Sequence, residues 1–250
     1  MNILTQNSAG AWRMICAALV GALVAGAAVW AWHASQPDSP AVGDRVAIEK
    51  VVHDYILANP EILPKAMENL QKRETAKQLA GVQDDIEAPF PGAILGNPNG
   101  KVTLVEFSDF ACTYCRQSEA DVAALIAANP DLRVVVRQLP ILSEQSTVAA
   151  RMGLAAARQG RYAAFHHAMY AAGRPDPVAI EAAARSAGLD MARAQRDAAS
   201  PEVEKEIRGN LEFARQLGFN GTPSWVIGDE IHAGAVGRDV LAEAIGKARG

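Results

Sequence analysis

The residues best suited to chemistry in this chain are two cysteines, Cys112 and Cys115, separated by Thr113 and Tyr114. They close the stretch Val102 to Cys115, which reads Val-Thr-Leu-Val-Glu-Phe-Ser-Asp-Phe-Ala-Cys-Thr-Tyr-Cys. A CxxC has three uses: half of a zinc site, a structural disulfide, or a reversible redox pair. Zinc needs two further ligands. No second CxxC exists, and His33, His53, His166, His167 and His232 show no zinc-like spacing to this one, so no metal is expected. A disulfide between residues three apart closes too small a loop to stabilise much. The redox reading is favoured by its context, a strand before and a helix after. The first turn of a helix has unpaired N–H groups and the positive end of the macrodipole, both of which stabilise a thiolate. The thiolate is the form of cysteine that attacks disulfides.

The elements that must hold this pair follow from the flanking pattern. The β-branched and apolar run from Val102 predicts a strand, and Val122, Leu125 and Ile126 after Cys115 fall at helical spacing. Asn129-Pro130-Asp131 makes a turn, and Leu132 to Leu139, containing Val134-Val135-Val136, reads as a second, buried strand. A strand–helix–strand unit of this crossover length predicts parallel pairing. Pro140 ends it. From Ser143 to about Gly218 the chain is Ala-rich and helical, with breaks at Gly160, Gly173 to Pro177, Gly188-Leu189-Asp190 and Ser200-Pro201. This is a block of four or five helices inserted between strands. Two short strands joined at Gly228-Asp229 predict a hairpin, Trp225 reads as core, and a final helix starts at Gly237. The fold class is therefore α/β, and no internal repeat is present.

The 250 residues carry a net charge of −4, half of them are apolar, and no Lys/Arg-rich run occurs, which argues against nucleic-acid binding. Three cysteines are too few for a disulfide scaffold. Met14 to Trp32 is nineteen residues without charge, preceded by Arg13 and followed by no Lys or Arg until Arg45. That length can span a bilayer, and the charge bias puts the remainder of the chain outside the cytoplasm. The competing reading is a cleaved signal peptide. The length of the run and the poor cleavage site around Ala31-Trp32-His33-Ala34 favour an uncleaved anchor. Cys16 then reads as a small apolar residue within it.

Residues 1–34 are thus expected to form an anchor or signal segment and 35–44 a linker. Residues 45–83 are expected to form a helical segment and 84–100 a second linker; residues 101–250 form the CxxC domain, with its helical insertion at about 143–218. In the helical segment Val46, Ile48, Val51, Val52, Tyr55 and Ile56 precede a break at Asn59-Pro60, and Ile62, Leu63, Ala66, Met67 and Leu70 follow. This apolar stripe is too short to make a core alone. Periodicity leaves two partners open: the chain's own catalytic domain, or further copies of the segment. Phe90, Ile94 and Leu95 are candidates for a short edge strand.

Gly221-Thr222-Pro223, at the start of the hairpin, completes a pattern. Proline there cannot donate to a ladder and belongs at an edge or a special turn. Glu-Phe before a CxxC, a helical insertion, and then Gly-Thr-Pro before an apolar strand together resemble the thioredoxin superfamily, over Lys101 to Gly250. The long helical block and Phe107-Ser108-Asp109-Phe110-Ala111-Cys112 are similar to its DsbA-like branch. Asp54-Tyr55-Ile56-Leu57-Ala58-Asn59-Pro60-Glu61-Ile62-Leu63, then Ala66-Met67, resembles the segment in front of ScsC-like proteins, which in some of them oligomerises the protein and supports isomerase activity.

The resemblance implies a thioredoxin-like fold with an inserted helical subdomain and a thiol–disulfide oxidoreductase without a cofactor. It also implies a cis-Pro loop, Thr222 and Pro223, facing the CxxC, with the Thr222 backbone available to an extended substrate. Cys112 is assigned as nucleophile and Cys115 as resolving thiol, with Thr113 and Tyr114 tuning the pair and contributing to substrate contact. Proline is frequent in the family at the position of Thr113, and the strongest oxidants have His at that of Tyr114; lacking both, this pair is expected to be less oxidising. Glu106 matches a buried acid that relays a proton to or from Cys115; the alternative is an exposed strand-end acid, with Asp109 a competitor. His166 and His167 are read as surface or core polar residues.

The implied partners are cysteine-containing exported proteins and other copies of the chain through residues 45–83. A membrane redox partner of DsbD/ScsB type would keep it reduced as an isomerase or reductase, and one of DsbB type would reoxidise it as an oxidase. The implied location is the periplasmic face of a bacterial inner membrane, or the soluble periplasm after signal cleavage. Isomerase or reductase is favoured over oxidase. Two further alternatives are a thiol-based copper-binding module and a scaffold with an inert pair.

Overall fold

The computed structural model describes residues 24–32 and 42–249, and the chain divides into two compact units, residues 1–65 and 66–250. In the first unit residues 24–32 are helical, and helix α1 runs Val42–Ala58. It begins three residues before the expected Arg45, because Val42-Gly43-Asp44 carries no apolar repeat from which to place a start. The Asn59 side chain donates to the Tyr55 carbonyl at 2.8 Å, and Pro60, lacking an N–H, cannot extend the helix. Much of the apolar stretch expected to form an anchor, including Cys16, lies outside the described residues. Among the described residues no helix is long and apolar enough to cross a membrane.

Helix α2, Ile62–Leu79, leads into the second unit and is followed by the short helix α3, Gln83–Glu87. Strand β1 is Ile94–Gly96, β2 is Val102–Ser108 and β3 is Leu132–Gln138; helix α4, Thr113–Ala128, connects the latter two. Five helices follow: α5 Glu144–Arg158, α6 Tyr162–Ala172, α7 Pro177–Ser186, α8 Met191–Ala198 and α9 Pro201–Gln216. Strands β4, Ser224–Ile227, and β5, Glu230–Ala233, precede the last helix, α10, Arg238–Ala248. The sheet order is β1-β3-β2-β4-β5. β2 and β3 are parallel, and the other pairings are antiparallel.

Every residue of β2 is buried, as a strand with both faces covered requires. Alternate positions serve different layers. Leu104, Val134, Val136, Trp225 and Ile227 pack with Val122 and Leu125 of α4 and Leu241 and Ile245 of α10. Val105, Phe107, Val135 and Val226 pack with Leu79, Ile86 and Leu217. A separate cluster belongs to the helical insertion, where Ala149, Ala155, Ala156, Phe165, Met169, Ile180 and Ala184 meet Phe110, Cys112 and Cys115. The short side chains of the Ala-rich helices allow their backbones to approach closely at this junction.

The stretch 84–100, expected to be a linker, contains buried Ile86 and Ala93. Arg137, itself buried, explains the first of these. Its guanidinium donates to the carbonyls of Asp85, Ile86 and Ala88 and pairs with Glu206 at 2.8 Å. Carbonyls that no helix satisfies are thereby anchored to β3.

Candidate functional site

Cys112 is the N-cap of α4, and its sulfur accepts the Cys115 amide at 3.4 Å. The strand places the pair at its end: Ser108 closes β2, and the Cys112 amide donates to the Asp109 carbonyl at 2.9 Å. Both cysteines are free thiols and buried, Cys112 at 6 % exposure and Cys115 at 1 %. The difference in access is small, so chemistry more than exposure separates them. The Thr222–Pro223 peptide bond is cis, and the Cys112 thiol lies 3.1 Å from the Thr222 carbonyl. The structure thus brings Cys112, Cys115, Thr222 and Pro223 together although 110 residues separate Cys112 from Thr222. Thr113 and Tyr114 lie on the exposed first turn of α4, with Tyr114 at 62 % exposure.

The two thiols titrate in opposite directions. The Cys115 side chain, hydrogen-bonding the Cys112 sulfur, lowers Cys112 to about 5; Thr222 and the amides of Cys115 and Tyr114 assist, while burial opposes. Burial first, then the hydrogen bond to Cys112 and the charge of Glu106, push Cys115 far above the ordinary thiol range. One proton therefore leaves the pair readily, from Cys112, and the other is held by Cys115. This asymmetry is what a nucleophile and a delayed resolving thiol require.

Glu106 is buried, at 3 % exposure, opposite Trp225 in the β2–β4 register. Burial raises it to about 7, with Ser108 pulling it back and the charges of Glu119 and Cys112 adding to the rise. Of the two placements considered for this acid, the structure shows the buried one. Its competitor Asp109 is buried as well, at 1 % exposure. The Ser108 hydroxyl lies 2.7 Å from the Tyr170 hydroxyl, and Tyr170 also donates to the Asp109 carbonyl at 3.3 Å. Ser108 and Tyr170 join the site without any signal in the sequence, because a lone Ser in a strand and a Tyr 62 residues away are juxtaposed only by the insertion. Asp109 stands within the quoted motif, yet its role depends on the loop after β3.

His166 and His167 diverge. His167 is exposed, with its Nδ1 2.8 Å from Glu119. His166 is buried among the rings of Phe110, Tyr162 and Tyr170, and burial lowers it to about 3, so it is neutral at working pH. Among the described residues no cluster of three His, Cys, Asp or Glu side chains could hold a metal ion.

Residues 103–246 match the DsbA-like thioredoxin domain family, and residues 44–77 match the family described as copper resistance protein ScsC N-terminal domain. Among solved structures, the chain is similar to a thioredoxin-like oxidoreductase from Silicibacter pomeroyi DSS-3 (45% identity, 62% of this chain and 91% of that one, TM-score 0.60). It is also similar to a linker-deletion mutant of Proteus mirabilis ScsC (26% identity, 86% and 99%, TM-score 0.65). A third similar structure is a periplasmic thioredoxin-like protein from Salmonella enterica serovar Typhimurium (28% identity, 67% and 95%, TM-score 0.59). The chain spans about a quarter of the length of the curated relatives it matches. One of these is Na(+)/H(+) antiporter NhaA 1 of Salinispora arenicola, 28% identical over 179 residues, which cover 68% of this chain and 28% of that protein.

Proposed function

The chain belongs to the DsbA-like thioredoxin domain family, and on that premise we propose that it is a thiol–disulfide oxidoreductase acting on cysteine-containing exported proteins. The observation that carries this reading is the Cys112 sulfur at a helix N-terminus, accepting the Cys115 amide and lying 3.1 Å from the Thr222 carbonyl beside cis-Pro223. Cys112 attacks a substrate disulfide, its sulfur bonding to one substrate sulfur while the other leaves as a thiolate. Cys115 then attacks Cys112, forming the Cys112–Cys115 disulfide and releasing the first substrate sulfur reduced. The Cys115 proton passes to Glu106. Thr222 binds the substrate main chain in strand-like fashion, and Thr113 and Tyr114 border the entrance. A Cys112 value of about 5 lies between thioredoxin, at about 7, and the strong oxidant DsbA, at about 3.5. A pair less oxidising than the strongest members is supported by Thr113 and Tyr114 standing where Pro and His occur in those members.

Within the family, this reading favours isomerase or reductase over oxidase. Ile48, Val51, Val52 and Tyr55 recur at i, i+3, i+4 and i+7 on α1, all half exposed or more, and the stretch lies in the part matching the ScsC N-terminal family. Such a stripe is covered when copies of the helix pack together, so the exposed stripe of α1 is assigned to self-association, while Leu79 near the end of the 45–83 segment packs into the catalytic domain's own core. A membrane partner of DsbD or ScsB type would keep the pair reduced; a DsbB-type partner belongs to the oxidase alternative. Location outside the cytoplasm is supported by the uncharged Met14 to Trp32 run and by similarity to a periplasmic protein. Either an uncleaved anchor or a cleaved signal would deliver it there.

The experiment is reshuffling of a multi-disulfide protein with mispaired cysteines. The reduced full chain should restore native pairing, and removal of residues 45–77 should lower that rate about tenfold by abolishing avidity between linked copies. Oxidation of reduced substrate without any reshuffling would reject the isomerase assignment.

A further inference from the structure

Ser108 is the last residue of β2, and alternation along the strand sets it on the same sheet face as Glu106, two residues before it. Leu104, on that face, packs with Val122 and Leu125 of α4, the helix that carries Cys115. The Ser108 hydroxyl hydrogen-bonds both the Glu106 carboxyl and the Cys115 sulfur, favouring the ionised form of each. Its Oγ also lies 2.7 Å from the Tyr170 hydroxyl, which donates to the Asp109 carbonyl at 3.3 Å. The main chain of Ser108 is fixed: its carbonyl accepts the Leu139 amide at 2.8 Å, and it stands opposite Gln138 in the β2–β3 ladder. Ser108 and Tyr170 are buried, at 1 % and 2 % exposure, as are Glu106 and Cys115. A proton leaving Cys115 therefore meets these side chains before it meets solvent.

A hydroxyl has one proton to donate and two lone pairs with which to accept. Those three capacities match the three neighbours of Ser108. Both partners of the Tyr170 hydroxyl can accept, and burial makes Tyr170 hold its proton, so Tyr170 occupies one lone pair of Ser108. The other lone pair is left for the Cys115 S–H, and the Ser108 O–H for the Glu106 carboxylate. We propose that Ser108 is a catalytic residue, the hydroxyl through which the Cys115 proton reaches Glu106, and that Tyr170 is a positioning residue that holds this hydroxyl in the bridging orientation. As the Cys115 sulfur attacks Cys112 in the mixed disulfide, its S–H bond breaks and a new O–H bond forms on Ser108. The original Ser108 hydrogen passes to the Glu106 carboxylate, which becomes neutral. The Cys112–Cys115 bond forms with an electron pair from Cys115, and the substrate sulfur leaves Cys112 with the pair of the bond that breaks. Ser108 ends as it began, an uncharged hydroxyl. This rests on the oxidoreductase reading above and adds the group that joins the resolving thiol to its base.

Single-turnover reaction of the reduced full chain with an oxidised substrate protein separates formation of the mixed disulfide from its resolution. Ser108→Ala is expected to slow resolution at pH 7 by about 10²-fold, the lower end of a general-base contribution, and to slow formation far less. Ser108→Thr keeps the hydroxyl and places a β-branched residue in a strand, so it should restore most of the lost rate. Tyr170→Phe keeps the buried ring and gives a second reading should Ser108→Ala not fold; it should slow resolution about tenfold, the scale of one hydrogen bond. Ser108→Ala combined with Glu106→Gln should resolve no more slowly than Glu106→Gln alone, because both cut one route. Equal slowing of both steps, an unchanged resolution rate in Ser108→Ala or Tyr170→Phe, failure of Ser108→Thr to restore it, or multiplying losses in the double variant would overturn the relay. An unsubstituted protein that forms no mixed disulfide would instead reject the oxidoreductase reading beneath it.

Discussion

Replacing Cys112 by Ser is expected to lower disulfide exchange by at least about 100-fold at pH 7. The figure follows from ionisation alone. With Cys112 at about 5, nearly all of it is thiolate at neutral pH. The remaining Cys115 is buried, and burial together with the charge of Glu106 holds its proton. Even an unperturbed thiol would be only a few per cent ionised there. The Cys115 side chain is the largest cause of the lowering of Cys112, so Cys115→Ser should also shift the reactivity of Cys112 toward higher pH. The check is the rate of iodoacetamide modification against pH. The reduced protein should show one fast-reacting thiol with a midpoint near pH 5, and Cys112→Ser should leave only slow reaction. A fast thiol persisting in Cys112→Ser would contradict the assignment.

Replacing Glu106 by Gln should make the fold more stable and the enzyme slower. Glu106 titrates near 7 in the fold, raised by burial from its ordinary 4.5. A raised value means that the folded state holds a proton the unfolded state has released. The associated stability is fully present below pH 4.5 and is lost as pH rises through 7. The disulfide form, in which neither cysteine titrates, should therefore lose about 3 kcal/mol between pH 4.5 and 8. Glu106→Gln should remove that slope and exceed the unsubstituted protein in stability at pH 8, as read by denaturant unfolding. Its catalytic consequence has the opposite sign. Without an acceptor for the Cys115 proton, resolution of the mixed disulfide should slow by about 10²-fold. Equal pH slopes for the two proteins would remove Glu106 from this role.

Much of the site was legible in the residues themselves. The strand at Val102–Ser108, the helix opening on the CxxC, and Gly221-Thr222-Pro223 before β4 all carry local patterns: β-branched runs, helical spacing, and a proline where a ladder donor is missing. What escaped is what tertiary packing alone decides. The resemblance already placed Glu106 at a buried position, but for Asp109, the other acid near the strand end, only the loop after β3 decides where its hydrogen bonds go. Tyr170 reaches Ser108 because α6 packs over the CxxC, which no periodicity announces. The stretch 84–100 looked like a linker because its Pro, Gly and Asn content is that of a loop. Ile94 and Leu95 signal the short edge strand that forms there, and Arg137, a charged residue in a largely apolar strand, signals that something polar has to come to it.

The most direct measurement is trapping with Cys115→Ser. Incubated with an oxidised substrate protein above neutral pH, this variant should accumulate a covalent adduct through Cys112, reducible by dithiothreitol, because Cys112 still attacks once ionised and the resolving thiol is gone. The pair would then be an exchange site with Cys112 as its nucleophile. Recovery of the variant with no adduct, or an adduct formed through a cysteine other than Cys112, would contradict the account. Loss of Cu(I) affinity without any adduct would instead identify a metal-holding pair.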